Sequence, residues 1–172
     1  MRFVGVDVGI KGAIAILDEK GAIIHIIQMP VIKYQFSKTS KVFSLVNIRE
    51  IRSAVYPLLA GQKCFIAMER VYTGKGSAKG AITSGINYGR VWSALELSGN
   101  SVEVITHPSQ WQKPMFKRYA AEGDDTKSFS ISAAAKRFGE QSLIPKGSRT
   151  PKDGIADALL IAEHLRIREL GV

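Results

Sequence analysis

Three short, β-branched apolar runs open the chain, and they constrain its fold more than any other feature. Residues 2–8 (RFVGVDV), 13–17 (AIAIL) and 22–29 (AIIHIIQM) are separated only by the turn signals Gly9-Ile10-Lys11-Gly12 and Asp18-Glu19-Lys20-Gly21. Runs this short, joined this tightly, predict a three-stranded antiparallel meander. Pro30 ends it, and residues 31–43 read as a basic, extended connection. The pattern then changes period. Leu45, Ile48, Ile51, Val55, Leu58 and Leu59 share one helical face that stops at Gly61. Residues 63–69 and 101–106 return to strand character. A helix is expected over 81–97, with Ile82, Ile86, Val91, Trp92 and Leu95 available for burial. Shorter helices are expected after Pro108 and from Asp125 or Thr126 to Phe138, and a last helix from about Asp153. Hairpin-linked strands followed by alternating helices and strands predict an α/β fold, a mixed five-stranded sheet with helices on both faces.

The length of 172 residues suits one domain spanning 1–172, and no repeat or linker divides it. No apolar stretch approaches the roughly 18 residues of a membrane span. An acid at position 7 is unlike the core of a signal peptide, so the expectation is a protein that is not secreted, cytoplasmic or nucleoid-associated, or a viral or organellar equivalent. Cys64 is the only cysteine, which rules out an internal disulfide and a cysteine-based zinc cluster. Within an apolar strand it is no nucleophile.

The charge gives the first functional indication. There are 24 Lys and Arg against 15 Asp and Glu, a net charge of +9. Most of the excess lies in the first half, and between Lys33 and Arg90 the only acids are Glu50 and Glu69. Such an excess suits a polyanion, because each neutralised phosphate releases condensed counterions.

Against this basic background four acids stand out. Asp7 lies among Val4, Val6 and Val8, where a carboxylate is disfavoured and costly to bury. Glu69 ends the apolar run CFIAM. If the strands carrying them run parallel and adjacent, both converge at the carboxyl ends, where open α/β sheets hold ligands. Asp153 and Asp157, at i and i+4, share one face at the start of the last helix; Asp153 also reads as an N-cap. Histidine-free oxygen clusters select hard cations, Mg2+ or Mn2+. Two such ions, about 4 Å apart, activate a water and stabilise the departing 3′ oxygen of a phosphodiester. Trp92 and Trp111 read as core, and His25, His107 and His164 as structural or surface residues.

These pieces resemble the RuvC-type Holliday junction resolvases of the RNase H-like superfamily. The matching segments are VGVDVGIKGAIAIL, MERVY, GINYGRVWSALELSG, HPSQWQK and KDGIADALLIAEHLR, in the family's order, with residues 30–62 matching least. The resemblance implies a sheet of order 3-2-1-4-5 with strand 2 antiparallel. It also implies a homodimer cutting four-way or other branched DNA by paired symmetric nicks. Asp7, Glu69 and Asp157 fall on the family's metal-holding acids. The family's further acid or His falls on Gly154, so Asp153 is expected to substitute, completing a catalytic set with Lys113 and Lys127 around two Mg2+ or Mn2+. Tyr72 falls on the aromatic that wedges into the junction centre. Arg70, Lys75, Lys79, Lys113, Lys117, Arg118 and Lys127 are expected to contact DNA. No membrane and no small-molecule cofactor is implied. A broader flap or branched-DNA nuclease keeps the same fold, and a catalytically inactive junction-binding module keeps the surface. An actin-like ATPase or sugar kinase shares only the DVGIKG turn and needs a longer chain.

Overall fold

The computed structural model describes residues 1–35, 37–38, 42–70, 78–97, 99, 101–105, 107–120 and 129–172. The expected meander forms as β1 (Arg2–Val6), β2 (Ala13–Leu17) and β3 (Ile23–Gln28). At its second tip, Asp18 Oδ1 accepts the backbone N–H groups of Lys20 and Ala22, both at 2.8 Å. This closes the turn locally, as short acids do. Two further strands, β4 (Val31–Tyr34) and β5 (Phe43–Val46), pair antiparallel as a separate sheet. Helix α1 (Ile48–Leu59), strand β6 (Cys64–Glu69), helix α2 (Ala78–Glu96) and strand β7 (Val102–Ile105) follow. The chain ends in α3 (Ser109–Tyr119), α4 (Phe129–Phe138), a short 3-10 turn (Glu140–Leu143) and α5 (Asp153–Leu170).

The main sheet has the order β3-β2-β1-β6-β7, with β1 antiparallel to β2 and parallel to β6. This is the expected spatial order, renumbered because β4 and β5 enter the count. Residues 31–43 are therefore not simply an extended connection. Leu45 and Val46 are strand residues, and α1 starts only at Ile48.

Side-chain alternation divides the core in two. Phe3, Ala13, Ala15, Leu17 and Ala67 face α3, α4 and α5, whereas Val4, Val6, Ile14, Ile16, Ile66 and Met68 face α1 and α2. The two-residue period of a strand produces this separation. Helix α5 is buried almost all round, from Gly154 through Leu165, as its nearly continuous apolar sequence requires. Midway along it, fully buried Glu163 accepts hydrogen bonds from Arg137 Nε (2.8 Å), Arg166 Nε (2.7 Å) and the Tyr119 hydroxyl (3.0 Å). Burial pushes its pKa up, but the bonds from Arg166 and Arg137 outweigh that and hold it below the usual value. This ion cluster ties α4 to α5. Helix α2 departs from expectation. Val91 and Leu95 are buried, but Ile82 and Ile86 are 62% and 41% exposed.

One contact fixes the position of α5. A Cβ at Gly5, in the middle of β1, would collide with the backbone of Ala158 and Ala162. Glycine allows helix and strand backbones to touch. Gly5→Ala should therefore cost about 1–3 kcal/mol, lowering Tm by several degrees in a thermal melt. An unchanged Tm would show that α5 does not lie this close to β1.

Candidate active site

The parallel register of β1 and β6 pairs Gly5 with Ala67 and Val6 with Met68. One step further along stand Asp7 and Glu69. Residues 3, 5 and 7 share a face, as do 65, 67 and 69, and that face is the one α5 covers. Two acids on neighbouring strands, about 4.8 Å apart in a sheet, therefore point toward the same helix. The Gly5 contact sets Ala158 directly over β1, which brings the preceding residue, Asp157, toward the same strand ends.

Each carboxylate is held. Asp7 Oδ1 accepts the Gly9 N–H at 3.2 Å. Glu69 Oε2 accepts the indole N–H of Trp111 at 2.9 Å, and the Ser130 hydroxyl of α4 bonds Asp157. Asp157 Oδ1 is buried with no hydrogen-bond partner among the described residues. Asp153 is exposed and is the first residue of α5. The capping position belongs to Lys152, so the N-cap reading of Asp153 is set aside.

The electrostatics reflect this crowding. Burial raises the pKa of Asp7 against the opposing Gly9 hydrogen bond, and Asp153 adds to the rise. Burial likewise raises Glu69, the Trp111 bond opposes it, and Asp7 pushes it further. Asp157 is pushed up to about 7 by burial, partly countered by Ser130, with repulsion from Asp7, Glu69 and Asp153 added. The four acids are thus electrostatic neighbours. Among the described residues, however, no group of three or more His, Cys, Asp or Glu side chains is arranged to hold a metal ion as it stands.

Gly154 explains why Asp153 occupies the position it does. A side chain at 154 would strike the Lys11 carbonyl, come within 2.7 Å of Gly12 Cα and within 3.0 Å of Asp7 Oδ2. The start of α5 packs against the 9–12 turn, so position 154 cannot carry an acid without moving that turn.

The basic residues expected around the site are distributed unevenly. Lys113 and Lys117 are exposed on α3, on the side away from buried Trp111 and Met115. Arg118 donates to the Val172 carbonyl at 3.2 Å, beyond the far end of a helix about 27 Å long, and is not brought to the acids. Arg70 is exposed directly after Glu69. Tyr72, Lys75 and Lys127 lie outside the described residues, as does the Lys79 side chain. Trp111 is core, as expected. Its bond to Glu69 is the contact within the candidate site that the sequence reading did not anticipate, and no local signal marks a partner 42 residues away. Cys64 is half-buried, which pushes its thiol pKa up, in keeping with an unreactive role.

No family model matches the chain, and no curated protein does. Among solved structures, it is similar to Thermus thermophilus RuvC in complex with Holliday junction substrate. That match has a TM-score of 0.59 at 17% identity, covering 99% of this chain and 97% of that one. A second Thermus thermophilus RuvC structure matches with a TM-score of 0.54, at the same identity and coverage. The fold is therefore that of RuvC, a mixed five-stranded sheet with flanking helices.

The raised pKa of Asp157 makes a stability prediction. Its folded value of about 7 lies above its ordinary 3.8, so between these the native state binds more protons than the unfolded state. Stability then falls as pH rises through that window. Asp157→Asn removes the penalty. Its stability should match wild type near pH 4 and exceed it above pH 7 by on the order of 4 kcal/mol, read as a Tm several degrees higher. A variant less stable than wild type at pH 8 would contradict this.

Proposed function

We propose that the chain is a metal-dependent, structure-selective DNA endonuclease that resolves four-way junctions by paired symmetric nicks. The observation that carries this reading is the convergence of Asp7, Glu69 and Asp157, with Asp153 beside them, at the strand ends of a RuvC fold. The donor set is all oxygen, which suits a hard cation. Asp157 Oδ1, buried with no hydrogen-bond partner among the described residues, is the acceptor that such an ion would use. These four carboxylates would hold Mg2+ or Mn2+, which would supply Lewis-acid activation of water and stabilisation of the leaving 3′ oxygen.

The other residues have supporting tasks. Trp111 holds Glu69 in one orientation, the Gly9 N–H does so for Asp7, and Ser130 for Asp157. The positive charge around this acidic centre draws in DNA that the carboxylates alone would repel. Arg70, Lys113 and Lys117, exposed near or beside the elements that carry the site, are assigned to phosphates. Tyr72, with Lys75 and Lys79, is assigned to the open centre of the junction, where stacking on a base contributes roughly 1–3 kcal/mol. Lys127 is assigned, with Lys113, to charge developing at the scissile phosphate.

Two symmetric nicks require two sites, and α2 offers a face for a second copy. Ile82, Gly85, Ile86 and Gly89 form a stripe along it. Both isoleucines are exposed, and among the described residues nothing lies within 4 Å of where a Cβ at either glycine would stand. Small residues four apart allow two helices to approach closely, and a two-fold dimer matches a two-fold junction.

The test is a plasmid bearing an extruded cruciform, incubated with the protein and Mg2+ or Mn2+, alongside three-way, flap and linear duplex DNA. Paired cutting within one binding event yields linear plasmid without accumulated nicked circles. Asp7→Asn should bind the junction and lower the cleavage rate by at least about 100-fold. Cleavage that persists without divalent cations, or is no faster on the cruciform than on linear duplex, would refute the proposal.

A further inference from the structure

The β4–β5 hairpin is fastened to α2 by side-chain bonds to its backbone. Buried Asn87 accepts the Val46 N–H at 2.9 Å and donates to the Ser44 carbonyl at 3.1 Å. Arg90 Nε donates to the Val46 carbonyl at 2.8 Å. Between the hairpin, α2 and the 9–12 turn lies an open groove of about 530 Å³. Gly9 and Ile10 form one wall, Val42 and Ser44 another, and Ser84 and Asn87 the third. Gly9 is also the residue whose N–H holds Asp7, so the groove and the acid cluster share the 9–12 turn, the groove on its α2 side and the acids on its α5 side.

We propose that this groove is a nucleotide subsite, holding one unpaired nucleotide of the substrate strand next to the scissile phosphate. The inference rests on the nuclease reading and adds to it the element that selects where the strand is cut. Charge favours this occupant: none of the described residues lining the groove is acidic. Lys33 Nζ donates to the Ser44 hydroxyl at 2.9 Å, placing a cation at the wall. The size also fits, since the volume lies within the roughly 300–1,000 Å³ of sites that enclose small organic ligands. Ile10 and Val42, both exposed, offer apolar contact for the faces of a base or sugar. The hydroxyls of Ser44 and Ser84 offer hydrogen bonds to a base edge. A paired duplex does not present a base face; an unpaired nucleotide at a branch point does.

The experiment uses the full chain and a four-way junction with an abasic analogue walked through the positions flanking the nick. Cleavage is read in single turnover for wild type, Ser84→Phe, Val42→Glu and Val42→Lys, and thermal melts verify each fold. Wild type should lose roughly tenfold in rate at one abasic position, on one side of the nick only. Ser84→Phe, which fills the groove, should lose a similar factor on intact DNA and no longer respond to that abasic position. Val42 is 54% exposed, so both of its variants should fold. Val42→Glu, which sets a negative charge against the phosphates, should cut more slowly than Val42→Lys. Should Ser84→Phe melt early, the Val42 pair decides. Equal wild-type rates at every abasic position overturn the subsite, as does a Val42→Glu variant indistinguishable from Val42→Lys. Uniform losses across all positions point to a duplex arm instead and also overturn it. If wild type cuts no junction at all, the nuclease reading fails and takes the subsite with it.

Discussion

The direct contact between Gly5 of β1 and the backbone of Ala158 and Ala162 is the constraint on which the rest of the structure depends. Without a side chain at residue 5, the last helix settles onto the central strand. Strand periodicity then places Asp7 and Glu69 on the face that helix covers, and helical periodicity brings Asp157 over the same strand ends. Four acids separated by up to 150 residues in sequence become one electrostatic unit because two backbones touch. Gly154 repeats the device one turn earlier, against the 9–12 turn.

A second ion cluster on the same helix behaves in the opposite way. Glu163 is fully buried but receives Arg137, Arg166 and Tyr119, and its carboxyl is held below the usual range. Among the described residues, Asp7, Glu69 and Asp157 each receive a neutral donor and no cation, and burial and mutual repulsion raise all three. A satisfied buried carboxylate supports the fold, whereas a crowded set of underserved ones weakens it. Groups arranged this way, at the carboxyl ends of central strands, mark a functional site.

Much of this was legible in the sequence, because the informative residues violate local rules. An aspartate among valines, a glutamate ending CFIAM and an acid pair opening an apolar helix each conflict with their surroundings, and the structure gathers all of them. A mixed sheet of five main strands was readable from hairpin spacing and the alternation that follows, and its spatial order from the family resemblance. The β4–β5 pairing was not. Those strands are short, β4 carries a lysine and exposes all four of its residues, and β5 is bonded by Asn87 and Arg90 from a helix distant in sequence. The exposure of Ile82 and Ile86 also escaped, since periodicity shows which residues share a helix face but not whether anything covers it. The Trp111–Glu69 bond leaves no trace in local sequence, because composition marks a tryptophan only as core.

The central claim is that these carboxylates form one cation site. Calorimetric titration of the protein with Mn2+ between about pH 5 and pH 8 tests it most directly. Because Asp157 is pushed up to about 7, binding must displace its proton in the lower part of that range. The account predicts Mn2+ affinity that rises with pH, proton release that fades toward pH 8, and loss of binding in Asp7→Asn. Mn2+ affinity unchanged by Asp7→Asn, or binding that releases no proton at pH 6, would contradict it.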